Sequence, residues 1–340
     1  MPGNEVGPSS RTRRQVLASA GAIGAAALAG CQSTGSGESS GELSGEVDVA
    51  GSSTVFPLAT AMSEAFRGSD YGEPHDNVEF NMQSTGSGGG FANHFCPGNT
   101  DFNNASRPIR EQERQQCADN DVEPVELTVA TDALTVIVNN ELGIDSITVD
   151  ELATIWSEES DAETWSDVNS NWPDEEFELY GPSDASGTYD YFVEAVLHAG
   201  DEELSHRSGS SYSGTEQDRT IIQGVEGSEY AMGYLGFAYY STNKDRVKAL
   251  AIDDGDGEPV EPSLETARNG EYTPLSRPLF TYPAKSSLTE DHVAEFARFW
   301  LEHATNEKIV AENVGYVPLS EEDKQEQLDT LETAIEEAGN

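Results

Sequence analysis

Three short runs in this chain crowd hydroxyls and glycines together: Gly51-Ser52-Ser53-Thr54-Val55-Phe56-Pro57, Ser84-Thr85-Gly86-Ser87-Gly88-Gly89-Gly90 and Ser183-Asp184-Ala185-Ser186-Gly187-Thr188. Ser87 and Ser186 have no visible local base, so the chemistry these runs suit is recognition rather than bond making. Glycines let a backbone approach a ligand closely and leave N–H groups exposed, and serine and threonine add hydroxyl donors. The ligand that fits such turns is an anion. Arg107, in Ser106-Arg107-Pro108-Ile109, offers a planar fork of donors to the same kind of ligand. Its competing role is a surface arginine paired with a carboxylate.

Each run lies between a strand and a helix. Residues 46–50 alternate like a strand, Pro57 suits a first helical turn, and Leu58, Ala61, Met62, Ala65 and Phe66 recur at helical spacing. Residues 78–82 lead into the second run and a helix carrying Phe91 and Phe95. Residues 177–180 lead into the third, followed by Tyr189, Phe192, Val193, Val196 and Leu197. A helix N-terminus carries free N–H groups and partial positive charge, which favours anions. An ordinary capped helix, or a flexible loop at the second run, explains any one of them; three on one chain point to a shared pocket. Elsewhere the pattern predicts strands over 125–130, 134–138 and 247–252, a strand end running into a helix over 147–156 and a short helix over 218–225. The apolar run 231–240 reads as a buried strand. A capping box, Ser287 with Glu290, opens a helix carrying Val293, Phe296, Ala297, Trp300 and Leu301, and a last helix carries Leu328, Leu331 and Ile335. Strands alternating with helices make an α/β fold, in which ligands bind beyond the strand C-termini.

The formal net charge is −45, from 63 acidic and 18 basic residues among 340. Self-repulsion on this scale strains a compact fold in dilute buffer. At ~1 M salt the Debye length is roughly 3 Å and most of the repulsion is screened, so the composition predicts adaptation to high salt of the haloarchaeal kind. It also argues against nucleic acid as a partner. Arg13-Arg14 precede a short Ala- and Gly-rich run, an export signal of twin-arginine type over residues 1–30. Leu28-Ala29-Gly30-Cys31 resembles a lipoprotein cleavage box, with Cys31 as the lipidated residue that anchors the protein to the outer face of the membrane. The Gly/Ser-rich segment 31–45 is then a tether. With Cys31 assigned, Cys96 and Cys117 form a disulfide or remain two free thiols; in an exported protein the disulfide is the simpler expectation.

The runs around Gly51, Ser84 and Ser186, with Asp101-Phe102-Asn103-Asn104-Ala105-Ser106-Arg107-Pro108-Ile109 and Gly233-Tyr234-Leu235-Gly236-Phe237-Ala238-Tyr239-Tyr240, occur in order and resemble the phosphate-binding proteins of ABC phosphate importers. The resemblance implies a two-lobed periplasmic-binding-protein fold (type II) that closes on phosphate, with no reaction catalysed and no cofactor or metal. It implies delivery to the transmembrane subunits of an ABC permease by a monomer. The first lobe is expected over 46–138 and 233–340 and the second over 139–232. Ser53, Thr54, Val55, Ser87, Ser186, Gly187 and Thr188 match the family's ligand turns. Two departures stand out: many members carry Asp where this chain has Arg107, and Arg where it has Gly181 and Pro182. Arg107 is therefore expected to supply the guanidinium. Asp184 or Asp101 is expected to accept a phosphate proton, although Asp184 equally suits a helix cap. Binding of sulfate, molybdate or tungstate is the alternative. Hydrolysis of phosphate esters is a remote one, since His75, His94, His198, His206, His292 and His303 form no metal-binding pattern.

Overall fold

The computed structural model describes residues 43–339, apart from 185, 201, 202, 216, 256 and 257. Arg13, Arg14, Cys31 and most of the tether lie outside the described residues. In chain order, β1 (Gly45–Gly51) buries Val47, Val49 and Ala50, and α1 (Phe56–Arg67) follows with Pro57 in its first turn and Leu58, Met62 and Phe66 inside. β2 (Val78–Ser84) lies parallel to β1 and leads into α2 (Ser87–Gly90), which widens into a π-turn over Phe91–Phe95. β3 (Phe102–Ala105) takes the other side of β1, and α3 (Glu111–Ala118) follows it. β4 (Leu127–Val138) is one strand where the apolar pattern shows two runs, because buried Thr131 and Asp132 continue it.

The middle of the chain holds β5 (Ser146–Thr148), α4 (Val149–Trp156) and the single turn α5 (Trp165–Val168). Thr148 and Thr164 cap these helices, accepting from Glu151 N at 3.1 Å and Asp167 N at 3.2 Å. Next come β6 (Glu178–Pro182) and α6 (Gly187–Phe192), which continues as a π-turn over Val193–Leu197. They are followed by β7 (Ser213–Thr215), α7 (Asp218–Gly227), β8 (Ala231–Gly236) and α8 (Phe237–Ser241). The rest comprises β9 (Lys248–Ala249), β10 (Ala251–Asp253), α9 (Leu264–Arg268), β11 (Ser276–Pro283), α10 (Asp291–Glu302) and α11 (Glu321–Ala338).

One mixed sheet runs β2-β1-β3-β11-β4-β8-β6-β7, with β9 also on β4, and β10 pairs with β5 apart from it. β4 joins the two halves: its first part pairs antiparallel with β11 and its last five residues with β8. Its side chains divide accordingly. Leu127 and Val129 pack with Val47, Met62, Phe66, Phe102, Phe296 and Trp300. Leu134, Val136 and Val138 pack with Trp156, Trp165, Phe192, Met232 and Tyr234.

Leu250, Ile252, Tyr272 and Leu275, inside the span expected for the first lobe, pack in the second core, and β9 and β10 pair with β4 and β5. The chain rejoins the first half of the sheet with β11. One expectation needs correction, the Ser287 capping box, which is not made: Ser287 lies in a 3-10 turn over Lys285–Thr289, and Glu290 itself is the cap position of α10.

Candidate functional site

A cleft of about 380 Å³ opens where β1, β2 and β3 end. Ser52, Ser53 and Thr54 line it from the first turn, Gly86, Ser87 and Gly88 from the second, and Ser106 and Arg107 from the end of β3. Two hydrogen bonds lock the first two turns together: Thr85 N donates to Gly51 O at 2.8 Å, and Gly51 N to the Thr85 side-chain Oγ1 at 3.1 Å. The approach is too close for side chains. A Cβ on Gly90 would lie 2.0 Å from Asn103 Oδ1 and 2.6 Å from Gly51 Cα, and one on Gly51 would lie 2.1 Å from Asn104 O. The glycine-rich sequence is thus what lets α2 rest on the β1 backbone and point its N-terminus into the cleft.

In the first turn, Ser52 N donates to Asn104 O at 2.8 Å and Val55 N approaches Ser52 Oγ at 3.4 Å. No described residue accepts from the backbone N–H of Ser53 or Thr54, so both donors remain for a ligand. Val55 is matched to the site only through its backbone, since its side chain is fully buried in the first core. Ser87 Oγ accepts from Ser106 N at 3.1 Å, which fixes the second turn against the third strand. The third turn faces the first: a Cβ on Gly187 would lie 3.8 Å from Thr54 Cα. Ser186 Oγ caps α6 by accepting from Thr188 N at 3.2 Å. Ser186, Gly187 and Thr188 do not line the cleft, whereas Asp190 of α6 and Glu194 of the π-turn that continues it do.

Neither acid expected near the ligand lines the cleft. Asp184 is exposed outside it, and Asp101 Oδ2 is taken by Asp48 N at 2.9 Å at the start of β3. Both competing roles foreseen for Arg107 coexist. It lines the cleft, and it also forms a two-pronged pair with Glu113, Nη1–Oε2 2.9 Å and Nη2–Oε1 2.7 Å. Burial pushes the Glu113 carboxyl up, but the Arg107 fork and the Arg110 backbone N–H outweigh it and hold the group below the usual carboxylate range.

Two further arginines line the cleft, and the motif reading missed both. Arg110 stands exposed at the rim. Arg277 enters from β11, with only 14% of its side chain exposed. Its Nε faces Asp132 Oδ2 at 3.4 Å, its Nη1 holds Glu194 Oε2 at 2.8 Å, and its Nη2 donates to Thr54 Oγ1 at 3.3 Å. The guanidinium lies 3.7 Å from the Tyr191 ring centroid. Burial pushes the Asp132 carboxyl up to about 6, and Arg277 only partly offsets it. A sequence signal for Arg277 exists: Ser276-Arg277-Pro278-Leu279 repeats the pattern Ser106-Arg107-Pro108-Ile109, and β3 and β11 are sheet neighbours. Among the described residues no cluster of His, Cys, Asp and Glu could hold a metal ion, and no helix is long and apolar enough to cross a membrane.

A family model described as a PBP superfamily domain matches residues 36–303. The chain belongs to that superfamily of solute-binding proteins, which are not enzymes, and within it to the family of the PstS and SphX proteins. Protein SphX of Synechocystis sp. is 41% identical over 287 residues, 83% of this chain and 80% of that protein. The phosphate-binding protein PstS of Staphylococcus saprophyticus is 35% identical over 316 residues, 92% of this chain and 93% of that protein. The crystal structure of a possible phosphate binding protein from Planctomyces limnophilus superposes with a TM-score of 0.77 at 39% identity, covering 86% of this chain and 99% of that one.

Proposed function

We propose that this protein binds inorganic phosphate outside the membrane and hands it to the transmembrane subunits of an ABC import permease. The observation that carries the reading is the cleft itself, where free N–H donors at Ser53 and Thr54, the α2 N-terminus and three arginines converge. Such donors act within a few ångströms and are effective even on a strongly acidic protein whose long-range field is screened by salt. Relatives named as phosphate-binding proteins support the choice of anion. The cleft lies between elements of the two cores, so closure of one on the other would enclose the ligand. We assign Ser53, Thr54, Ser87, Arg107 and Arg277 to direct contact. Ser186, Gly187 and Thr188, which face the first turn without lining the cleft, are assigned to contact only once the two sides close.

Calorimetry with phosphate and with sulfate in molar KCl tests this. Submillimolar phosphate binding is expected, and a preference for sulfate would reassign the cleft to another oxyanion. Arg107→Ala should weaken phosphate about tenfold or more, the range for a charged hydrogen bond, and Thr54→Ala about fivefold. If both variants bind normally the cleft has been misplaced.

The acidic composition supports a protein working in concentrated salt. The Arg13-Arg14 signal and Cys31 support twin-arginine export and lipid anchoring through the tether. Cys31→Ser should move the protein from the membrane fraction to the medium, and retention in the membrane would dismiss the anchor.

A further inference from the structure

We propose that Glu194 is an internal competitor for the anion: its carboxylate holds Arg277 while the cleft is empty and yields the guanidinium when a dianion enters. The proposal rests on the reading of the cleft as a phosphate site, and it adds a residue that sets how tightly, and for what, the site closes.

Arg107, Arg110 and Arg277 line the cleft, and so do Asp190 and Glu194. Behind the wall, Glu113 already pairs with Arg107 and Asp132 faces Arg277. With all of these ionised, carboxylates outnumber arginines. A dianion entering that set meets net repulsion unless one carboxylate withdraws.

The four acids differ in how firmly they are held. Glu113 is 12% exposed and accepts three bonds, two from the Arg107 fork and one from Arg110 N at 2.8 Å. Asp132 is fixed inside β4 and cannot swing out. Asp190 makes no ion pair with a described residue, so its departure would free no donor. Glu194 is 68% exposed and reaches in from solvent to a single nitrogen, Arg277 Nη1, at 2.8 Å. An exposed pair of this kind holds its partners by a factor of about five at most, so an anion gaining several donors at once displaces it.

Arg277 is built to survive the exchange. Asp132 and Thr54 bind its other nitrogens and Tyr191 carries its plane, so the guanidinium keeps its orientation when Glu194 leaves. The Nη1 donor released is the one turned toward α6, which lines the cleft. Glu194 therefore acts through Arg277 as a positioning residue: it occupies the donor in the empty protein and imposes a threshold that only an anion filling the whole site overcomes.

A double-mutant cycle read by phosphate calorimetry tests the assignment, with folding of each protein checked by circular dichroism. Glu194→Gln should tighten phosphate about three- to fivefold. Placed on Arg277→Gln, which itself binds more weakly, the same change should give no gain. Arg277→Lys serves as a second background, because a lysine keeps the charge but cannot hold Asp132 and Glu194 together. Wild-type binding with Glu194→Gln unchanged or weaker overturns the proposal alone, as does an equal gain with and without Arg277, which would mark a general charge effect. Failure of the wild-type protein to bind phosphate removes the underlying reading and the proposal with it.

Discussion

Reduction of the Cys96–Cys117 bond is expected to lower the unfolding free energy by about 3 kcal/mol. The two cysteines are joined across a sequence separation of 21, and closing a loop of that length restricts the unfolded chain by about this amount. Packing adds little to the loss. Both cysteines are buried among Phe91, Phe95, Ile109 and Tyr282, and a thiol fills such a site nearly as well as half a disulfide. Urea denaturation of the Cys96→Ser/Cys117→Ser protein beside the oxidised wild type measures the difference. A loss under about 1 kcal/mol would mean that the unfolded chain is already compact over this loop. The same loop carries Ser106, Arg107 and Glu113, so the bond braces one wall of the cleft. Phosphate affinity should change much less than stability, because the Arg107–Glu113 pair and the Ser106 N–Ser87 Oγ bond persist without it.

The parts of this molecule that follow simple periodicity were legible in the sequence. Val47 and Val49 alternate into the core, Leu58, Met62 and Phe66 recur at helical spacing, and Gly51 and Gly90 mark where backbones touch. The first two ligand turns could therefore be placed by pattern and their geometry inferred from helix ends. Arg277 could not, because its strand breaks the rule that proline stays out of central strands. β11 lies between β3 and β4 with Pro278 and Pro283 inside its bounds. It tolerates them because Pro283 closes the strand and a register shift follows at Leu279/Phe280.

That Asp184 does not line the cleft has a related reason. Asp184 is beside the third turn in sequence, but the residues that face the cleft are set by the rotation of α6, which turns Asp190 and Glu194 inward. Nearness along the chain was the only available guide, and a helix replaces it with spacing four residues apart. β9 and β10 have two and three residues, too few for the sequence to show which sheet they join.

Asp132→Asn should change the pH dependence of stability by about 3 kcal/mol. Asp132 is 5% exposed, and its carboxyl is pushed up to about 6 by burial, against an unfolded value near 3.9. Between those two values the folded protein binds more protons than the unfolded chain, so this group makes stability fall as pH rises through the window. The cost is absent below pH ~4 and fully present above pH ~7. Arg277, Tyr191 and Tyr316 are the titratable groups whose charge bears on Asp132. Both tyrosines are pushed well above their usual range by burial, so neither titrates inside the window. The comparison is therefore between variants at each pH, which cancels the many surface carboxylates. Relative to wild type, Asp132→Asn should gain about 3 kcal/mol between pH 4 and pH 7 in urea denaturation. A difference that stays flat across that range would show that Asp132 ionises normally in the folded protein. The same variant should bind phosphate more weakly at pH 7, because Arg277 Nε exchanges a charged carboxylate acceptor for a neutral amide that orients it less firmly. A carboxylate that costs stability at neutral pH, and is buried against the one arginine shared by β11, the first turn and α6, is accounted for by the orientation it gives that guanidinium.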